Sequence, residues 1–321
     1  MAQLGFADLS MGPSNARRDR LGRIEKAIDW VPISALLSRL HGGGGRPPYE
    51  PLAMFRALLL AQWHDLSDPA LEDALADRAS FRRFCGFSLG ERTPDETTLC
   101  RFRLSLQKTR LGEALFAEVV RQLEARGLVL RKGTIVDATL IESAVRRPPS
   151  QTTPAGTESR SVLDPDADWT RRGVKRELFF GYKAHIAIDV GSGLIRKRLL
   201  TGAKLYESEA ADGLICGDER AVYADKAYEK KERRAALRAA GIKDRIQHRR
   251  HKHLPVLPRW QSLRNLLIGR VRGAVERVFS QFKGIYGMRR MRYRRLAANA
   301  LHLDLVAIAY NLRRTADLAP A

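Results

Sequence analysis

Three acidic residues stand where acids are least expected. Asp137 lies inside the β-branched, apolar run Thr134-Ile135-Val136-Asp137-Ala138-Thr139-Leu140-Ile141, which reads as a core strand. Aspartate is disfavoured in strand interiors, where an unpaired carboxylate is expensive to bury. Asp225 directly follows Val222-Tyr223-Ala224, so its side chain emerges at a strand's end; capping a turn is the plainer use of an acid there. Glu276 is the sole acidic residue between Asp244 and Asp304. With Arg272 and Lys283, at spacings of four and seven, it falls on one stripe of a helix, although an intrahelical pair with Arg272 would also account for the first spacing. Two strand acids and one helix acid compose a hard oxygen site for Mg²⁺ or Mn²⁺. Two such ions, roughly 4 Å apart, activate an attacking oxygen and stabilise a leaving one during in-line phosphodiester displacement.

The surroundings of those acids are strongly basic. The 321 residues carry 57 Lys and Arg against 36 Asp and Glu, a formal charge of +21, with 44% hydrophobic residues. That apolar content excludes disorder, and the charge excess points to a polyanion. Its distribution is uneven: residues 1–130 hold 18 basic and 16 acidic side chains, whereas 226–295 hold 22 against 4. So one-sided a run repels itself without a counter-polyanion, and nucleic acid fits it better than a membrane surface. The apolar stretch 52–63 is interrupted by Arg56 and falls short of the roughly 20 residues a spanning helix needs. The first 18 residues lack a signal-peptide pattern. A cytoplasmic, nucleoid-associated protein with no membrane partner is expected. Cys85, Cys100 and Cys216 suit free thiols rather than a disulfide framework or a zinc site.

The elements that must position the acids follow from periodicity and caps. Residues 1–130 read as an all-helical N-terminal domain, with helices near 51–63, 69–77, 79–84, 95–108 and 112–126. Asp68 before Pro69 is expected to cap the second, and Thr93 with Glu96 to form a capping box for the fourth. The stretch 68–110 fits a helix-turn-helix presenting Arg101, Arg103, Lys108 and Arg110 to a duplex, or a helical packing domain for dimerisation. After residue 130 come strands at 134–141, 182–190, 194–200 and 221–224, the middle pair forming a hairpin over Gly191-Ser192-Gly193. Helices follow at 230–240, 263–283 and near 298–313, the long one burying Leu267, Val271, Val275, Val278 and Phe282. This is an α/β catalytic domain, 131–315, with a tail at 316–321. Within it, 146–176 is an aperiodic loop that stays mobile or orders on a ligand.

Taken together, these motifs resemble the bacterial DDE transposases of insertion sequences, specifically the insertion sequence five family. The resemblance rests on Val136-Asp137-Ala138-Thr139-Leu140-Ile141-Glu142-Ser143, Leu163-Asp164-Pro165-Asp166-Ala167 with Gly181-Tyr182-Lys183-Ala184-His185, Tyr223-Ala224-Asp225-Lys226-Ala227-Tyr228, and Arg272, Glu276 and Lys283. Upstream, 94–103 is similar to the family's helical N-terminal domain. The family's signature begins with a tyrosine where this chain has Gly269. The resemblance implies a ribonuclease-H-like core in which Asp137, Asp225 and Glu276 bind two Mg²⁺ (or Mn²⁺) ions. It also implies water attack at each transposon end, then attack of the freed 3′-hydroxyl on target DNA, with Arg272 and Lys283 on nearby phosphates. Double-stranded DNA, as inverted-repeat ends and as target, is the expected partner, bound by a homodimer or larger synaptic complex. The alternatives are a ribonuclease-H-like nuclease without strand transfer and a catalytically silent DNA-binding derivative.

Further candidates are weaker. His185 alternates with Lys183 along its strand and either approaches the metal site or is satisfied in the core. The run His248-Arg249-Arg250-His251-Lys252-His253 reads as a DNA-contacting loop through Arg249 and Arg250; Trp260 beyond it is expected in the core, with stacking on an exposed base as the alternative. Arg289, Arg290 and Arg292, beside Tyr293, read as a track along a phosphate backbone.

Overall fold

The strand expected around Asp137 forms as β1 (Thr134–Glu142) in a computed structural model that describes residues 19–318, apart from 41–48, 147, 149–151, 154–155, 158–160, 174–176 and 253. Two short strands, β2 (Thr152–Thr153) and β3 (Gly156–Thr157), pair with each other. The larger sheet contains β1, β4 (Asp168–Arg172), β5 (Glu177–Asp189), β6 (Ile195–Gly202), β7 (Ala221–Ala224) and β8 (Lys243–Ile246). Its path runs β4-β5-β1-β7-β8, with β6 also on β5. β1 is antiparallel to β5 and parallel to β7, and β7 is parallel to β8. The expected hairpin is β5–β6, and β5 starts earlier than the sequence suggested because its first residues pair with β4. That pairing places a strand inside the expected mobile loop 146–176; much of the rest of that loop lies outside the described residues.

The chain divides into two compact units, Met1–Leu128 with Asp304–Ala321, and Val129–Leu303. The first contains α1 (Arg20–Ala27), α2 (Val31–Leu37), α3 (Pro51–His64), α4 (Asp68–Asp77), α5 (Ala79–Cys85), α6 (Glu96–Lys108) and α7 (Leu111–Ala125). Two caps differ from expectation. Ser67, not Asp68, caps α4, because Asp68 is already inside the helix; Asp95, not Thr93, caps α6 by accepting from the Thr98 amide. The second unit adds α8 (Glu207–Leu214), α9 (Lys231–Ala239) and α10 (Arg259–Gly284), and α11 (Leu296–Leu318) is shared between the units. α11 buries the expected Leu301, Leu305, Ile308 and Leu312. It runs through Leu318, so 316–318 are helix rather than tail. No described helix is long and apolar enough to cross a membrane.

The sheet is packed on both faces, which is what lets one strand serve two environments. Val136 joins Ala187, Ala211, Leu214, Val222, Tyr228, Leu237 and Ile246 in a buried cluster under α8 and α9. Successive strand residues point to opposite faces, so Asp137 faces the other way, toward α10. That helix buries Ile268, Val275, Val278 and Phe282. Its first half departs from expectation: Trp260, Leu263, Leu266 and Leu267 are each more than half exposed, and Val271 is only half-buried. Trp260 therefore lies on the surface, its ring edge-on to His248.

Candidate active site

β1 delivers Asp137 and the end of β7 delivers Asp225; Arg272 of α10 reaches both. The Arg272 guanidinium donates to Asp137 Oδ2 at 2.8 Å and meets Asp225 Oδ2 at 3.5 Å. Asp225 also caps the 3₁₀ turn Lys226–Tyr228, accepting from the Ala227 amide at 2.8 Å. Asp137 accepts from the Ala138 amide at 2.9 Å. Burial pushes the Asp137 carboxyl above the ordinary range; Arg272 opposes that and Asp225 adds to it. Glu276 lies one turn beyond Arg272, exposed, and has no hydrogen-bond or ion-pair partner among the described residues. Two of the three expected acids thus meet at one cation, and the third stands on the same helix stripe without touching them. The alternative of an Arg272–Glu276 helix pair does not form; the guanidinium turns to Asp137 and Asp225 instead.

The donor set suits a divalent ion. Two carboxylates converge on a space that a positive charge already occupies, and the oxygens are those a hard cation prefers. The Tyr228 hydroxyl is fully buried and has no hydrogen-bond partner among the described residues. Burial and then the charges of Glu207 and Asp137 hold that phenol in its protonated form. Glu207, at the first turn of α8, is likewise raised by burial, opposed by Lys183 and pushed further by Asp137 and Asp225. Lys183 Nζ donates to the Leu205 carbonyl at 2.8 Å and lies 3.8 Å from Glu207. Neither Glu207 nor Tyr228 was expected at the site. An acid in a helix's first turn is too common to signal more than a favourable dipole contact, and Tyr228 reads as core.

His185 does not reach Asp137. It pairs with Ala138 while Asp137 pairs with Ile186, so the two side chains leave opposite faces. Its Nε2 lies 3.0 Å from Thr201 Oγ1, and burial, with help from Lys183, lowers its pKa to about 4. Asp164, which the motif comparison singled out, is structural. It is buried and accepts from Tyr182, Ser143 and the Arg295 amide.

The expected phosphate contacts separate into groups. Lys283 is half-buried on α10; burial lowers its pKa, and so do the charges of Arg172 and Arg289. Arg289 and Arg290 are exposed and Arg292 is half-buried. Their segment is tied to β1: the Glu142 amide donates to the Arg289 carbonyl at 3.1 Å and the Met291 amide to the Glu142 carbonyl at 2.7 Å. Arg249 and Arg250 are exposed after β8, and Arg101 is exposed on α6. Arg103 differs: its guanidinium grips Asp68 through two bonds, 2.7 and 2.5 Å, so it serves the packing of α4 and α6. Away from the acids, Cys216, Asp218 and Glu219 lie close enough to ligate an ion. Their charge is already met by Arg196, and Glu219 accepts from the Cys216 and Gly217 amides.

Residues 11–105 match the Transposase domain (DUF772) family, and residues 130–312 match the Transposase DDE domain family. The chain belongs to the DDE transposase family. Enzymes of this family are metal-dependent and cut and transfer DNA strands. Among solved structures, the chain is similar to the piggyBac transposase in a synaptic complex with hairpin DNA. The TM-score is 0.50 at 10% identity, covering 96% of this chain and 77% of that one. It also matches a pre-cleavage Mos1 transpososome at a TM-score of 0.20 and 9% identity, covering 96% and 88%. At such identities the piggyBac likeness is one of fold, a ribonuclease-H-like sheet following a helical N-terminal region.

Proposed function

We propose that this transposase cleaves the ends of a mobile DNA element and joins the freed 3′-hydroxyls to target DNA, with Asp137, Asp225 and Glu276 as its metal-binding triad. The observation that carries the reading is the convergence of Asp137 and Asp225 on a single guanidinium, 2.8 and 3.5 Å away, one helical turn from Glu276. Two Mg²⁺ or Mn²⁺ ions held there supply charge stabilisation for the attacking and leaving oxygens. Asp137 of β1 and Asp225, at the cap just after β7, would hold such ions. Glu276 is free to complete the set because it is engaged by nothing else among the described residues.

Arg272 holds the two aspartates together before loading and is then placed to meet a DNA phosphate. Lys283 feels the charges of Arg172 and Arg289, of which Arg172 is met by Glu177 at 3.6 Å, and a phosphate backbone fits the remaining positive charge. Arg249 and Arg250 after β8, Arg292, Arg290 (3.6 Å from Glu142) and Arg101 of the N-terminal unit offer further contacts. The partner is double-stranded DNA, as paired inverted-repeat ends and as target, and the working assembly is a homodimer or larger. Purified protein with Mg²⁺ and an end-containing duplex is expected to cleave and join strands. Asp137→Asn, Asp225→Asn and Glu276→Gln are each expected to abolish both steps while DNA binding persists; activity surviving all three would overturn the assignment.

A further inference from the structure

The acids that surround the Tyr228 hydroxyl include one that the three-residue motif does not contain. Glu207 opens α8, which packs against β1, against β5 and against the turn that follows Asp225. Its place is fixed from two sides. Lys183 of β5 holds the carboxylate at 3.8 Å and the preceding Leu205 carbonyl at 2.8 Å. Arg233, itself buried, ties the first turn of α8 to the turn after Asp225: it donates to Asp212 Oδ1 at 2.6 Å, to Ser208 Oγ at 3.2 Å, and to the Ser208 and Tyr228 carbonyls. The start of α8 and the end of β7 therefore form one braced unit.

Within that unit β7 stops at Ala224, so β1 loses its neighbour just where Asp137 sits. Glu207 belongs to the helix packed against β1 and against the turn after Asp225, and it feels the charges of Asp137, Asp225 and Arg272. The Tyr228 hydroxyl, on a residue with no exposed surface, feels the charges of Glu207, Asp137, Arg272 and Asp225 and finds no hydrogen-bond partner among the described residues. A buried hydroxyl left unsatisfied costs roughly 1–3 kcal/mol. Such a group calls for an explanation, and a ligand-binding role is one.

We infer that Glu207 is a fourth carboxylate of the metal centre, set by Lys183 and Arg233, with Tyr228 as the positioning residue behind it. The inference rests on the reading of Asp137 and Asp225 as metal-binding residues and adds to it. A fourth acid raises the negative charge available to two divalent ions, and it would reach them where β7 ends and β1 has no neighbour. The open gap beside Asp137 would then be an entrance for an oxygen ligand rather than a packing defect.

The test is a titration of the full-length chain with Mn²⁺ alone, following free Mn²⁺ by its spin resonance signal, without DNA. Glu207→Gln, which keeps size and removes charge, is expected to weaken Mn²⁺ binding by about 10- to 100-fold, and Glu207→Asp to recover part of the loss. Asp137→Asn, run alongside, is expected to weaken binding at least as much. If Asp137→Asn weakens binding while Glu207→Gln titrates as the parent does, Glu207 is not a ligand and the triad stands. If neither variant changes binding, or Glu207→Gln alone does, the metal reading of Asp137 fails and the inference fails with it. Should Glu207→Gln not fold, Glu207→Asp decides: weaker binding with an unchanged metal-free melting temperature supports the inference, and unchanged binding overturns it.

Discussion

Replacing Arg272 with Met keeps most of the side chain's bulk and removes the charge shared by Asp137 and Asp225. In the metal-free chain two carboxylates are then left facing each other without a cation. The bond to Asp137 joins side chains only 16% and 17% exposed, and a hydrogen bond to a charged group contributes about 1.5–3 kcal/mol. The longer contact reaches an Asp225 side chain that is 33% exposed and contributes roughly 1 kcal/mol or less. A loss of about 2–4 kcal/mol corresponds to a fall of about 5–15 °C in melting temperature for a unit of this size. The loss depends on pH in a definite direction. Burial already raises the Asp137 carboxyl, so this group costs the fold stability as pH rises from the ordinary carboxylate range through its raised value; without Arg272 that cost is larger and extends to higher pH. The gap between variant and parent should therefore be widest near neutrality and close as Asp137 is protonated. Mg²⁺ should close it as well, raising the melting temperature of the variant more than that of the parent. Scanning calorimetry across pH, with and without Mg²⁺, measures all three effects. A variant that melts within about 1 °C of the parent at neutral pH, or that gains no more than the parent from Mg²⁺, would refute the shared-cation account.

Other expectations are more compact. His185 has its pKa lowered to about 4, so its contribution is fully present above pH 6.5 and is lost as pH falls from there toward 4. His185→Gln should remove about 2–3 kcal/mol of that acid-side decline, as seen in urea titrations at several pH values. Tyr228→Phe deletes a buried hydroxyl that has no partner, so metal-free stability should hold or rise while the stabilisation given by Mn²⁺ shrinks; a marked metal-free loss would contradict the unpartnered state. Arg233→Met should cost about 3–5 kcal/mol, because it strips Asp212 and three further acceptors of their buried donor, and chemical denaturation reads this directly. Lys283→Gln should reduce the slope of log affinity for duplex DNA against log salt by about 1; an unchanged slope would place Lys283 away from phosphate.

Much of the catalytic unit is legible in the sequence because its signals are violations of simple rules. An aspartate within Thr134–Ile141 and a lone glutamate in a basic helix need a reason, and strand and helix periodicity place them on known faces. The elements that stayed hidden obey their local rules. Glu207 looks like any acid at a helix start, and only the fold brings α8 against the turn after Asp225. β4 was read as loop because Asp168–Arg172 is polar, and its pairing with β5 is a tertiary fact. The opposite error occurred on α10, where Trp260 and Leu267 suggested core. Helical spacing shows that a stripe exists without showing what covers it. Arg103 was similarly ambiguous: a cation on a helix reads as a phosphate contact until Asp68 is found against it.

The tethering of α10 has a kinetic consequence. Near its start Arg264 donates to the Ile246 and Asp244 carbonyls at 2.8 and 2.7 Å, and Asn265 exchanges bonds with His248. Just past its end, the backbone of Arg289 and Met291 is paired to Glu142 of the strand that carries Asp137. A helix anchored near both ends to the sheet has no hinge about which to swing, so Arg272 and Glu276 can change partners only by side-chain rotation. Such rotations take picoseconds to nanoseconds in exposed groups, whereas collective element motions take microseconds to milliseconds. Rapid mixing of the metal-free chain with Mn²⁺ should accordingly show no slow conformational phase attributable to α10, and the rate of ion capture should rise in proportion to ion concentration throughout the accessible range.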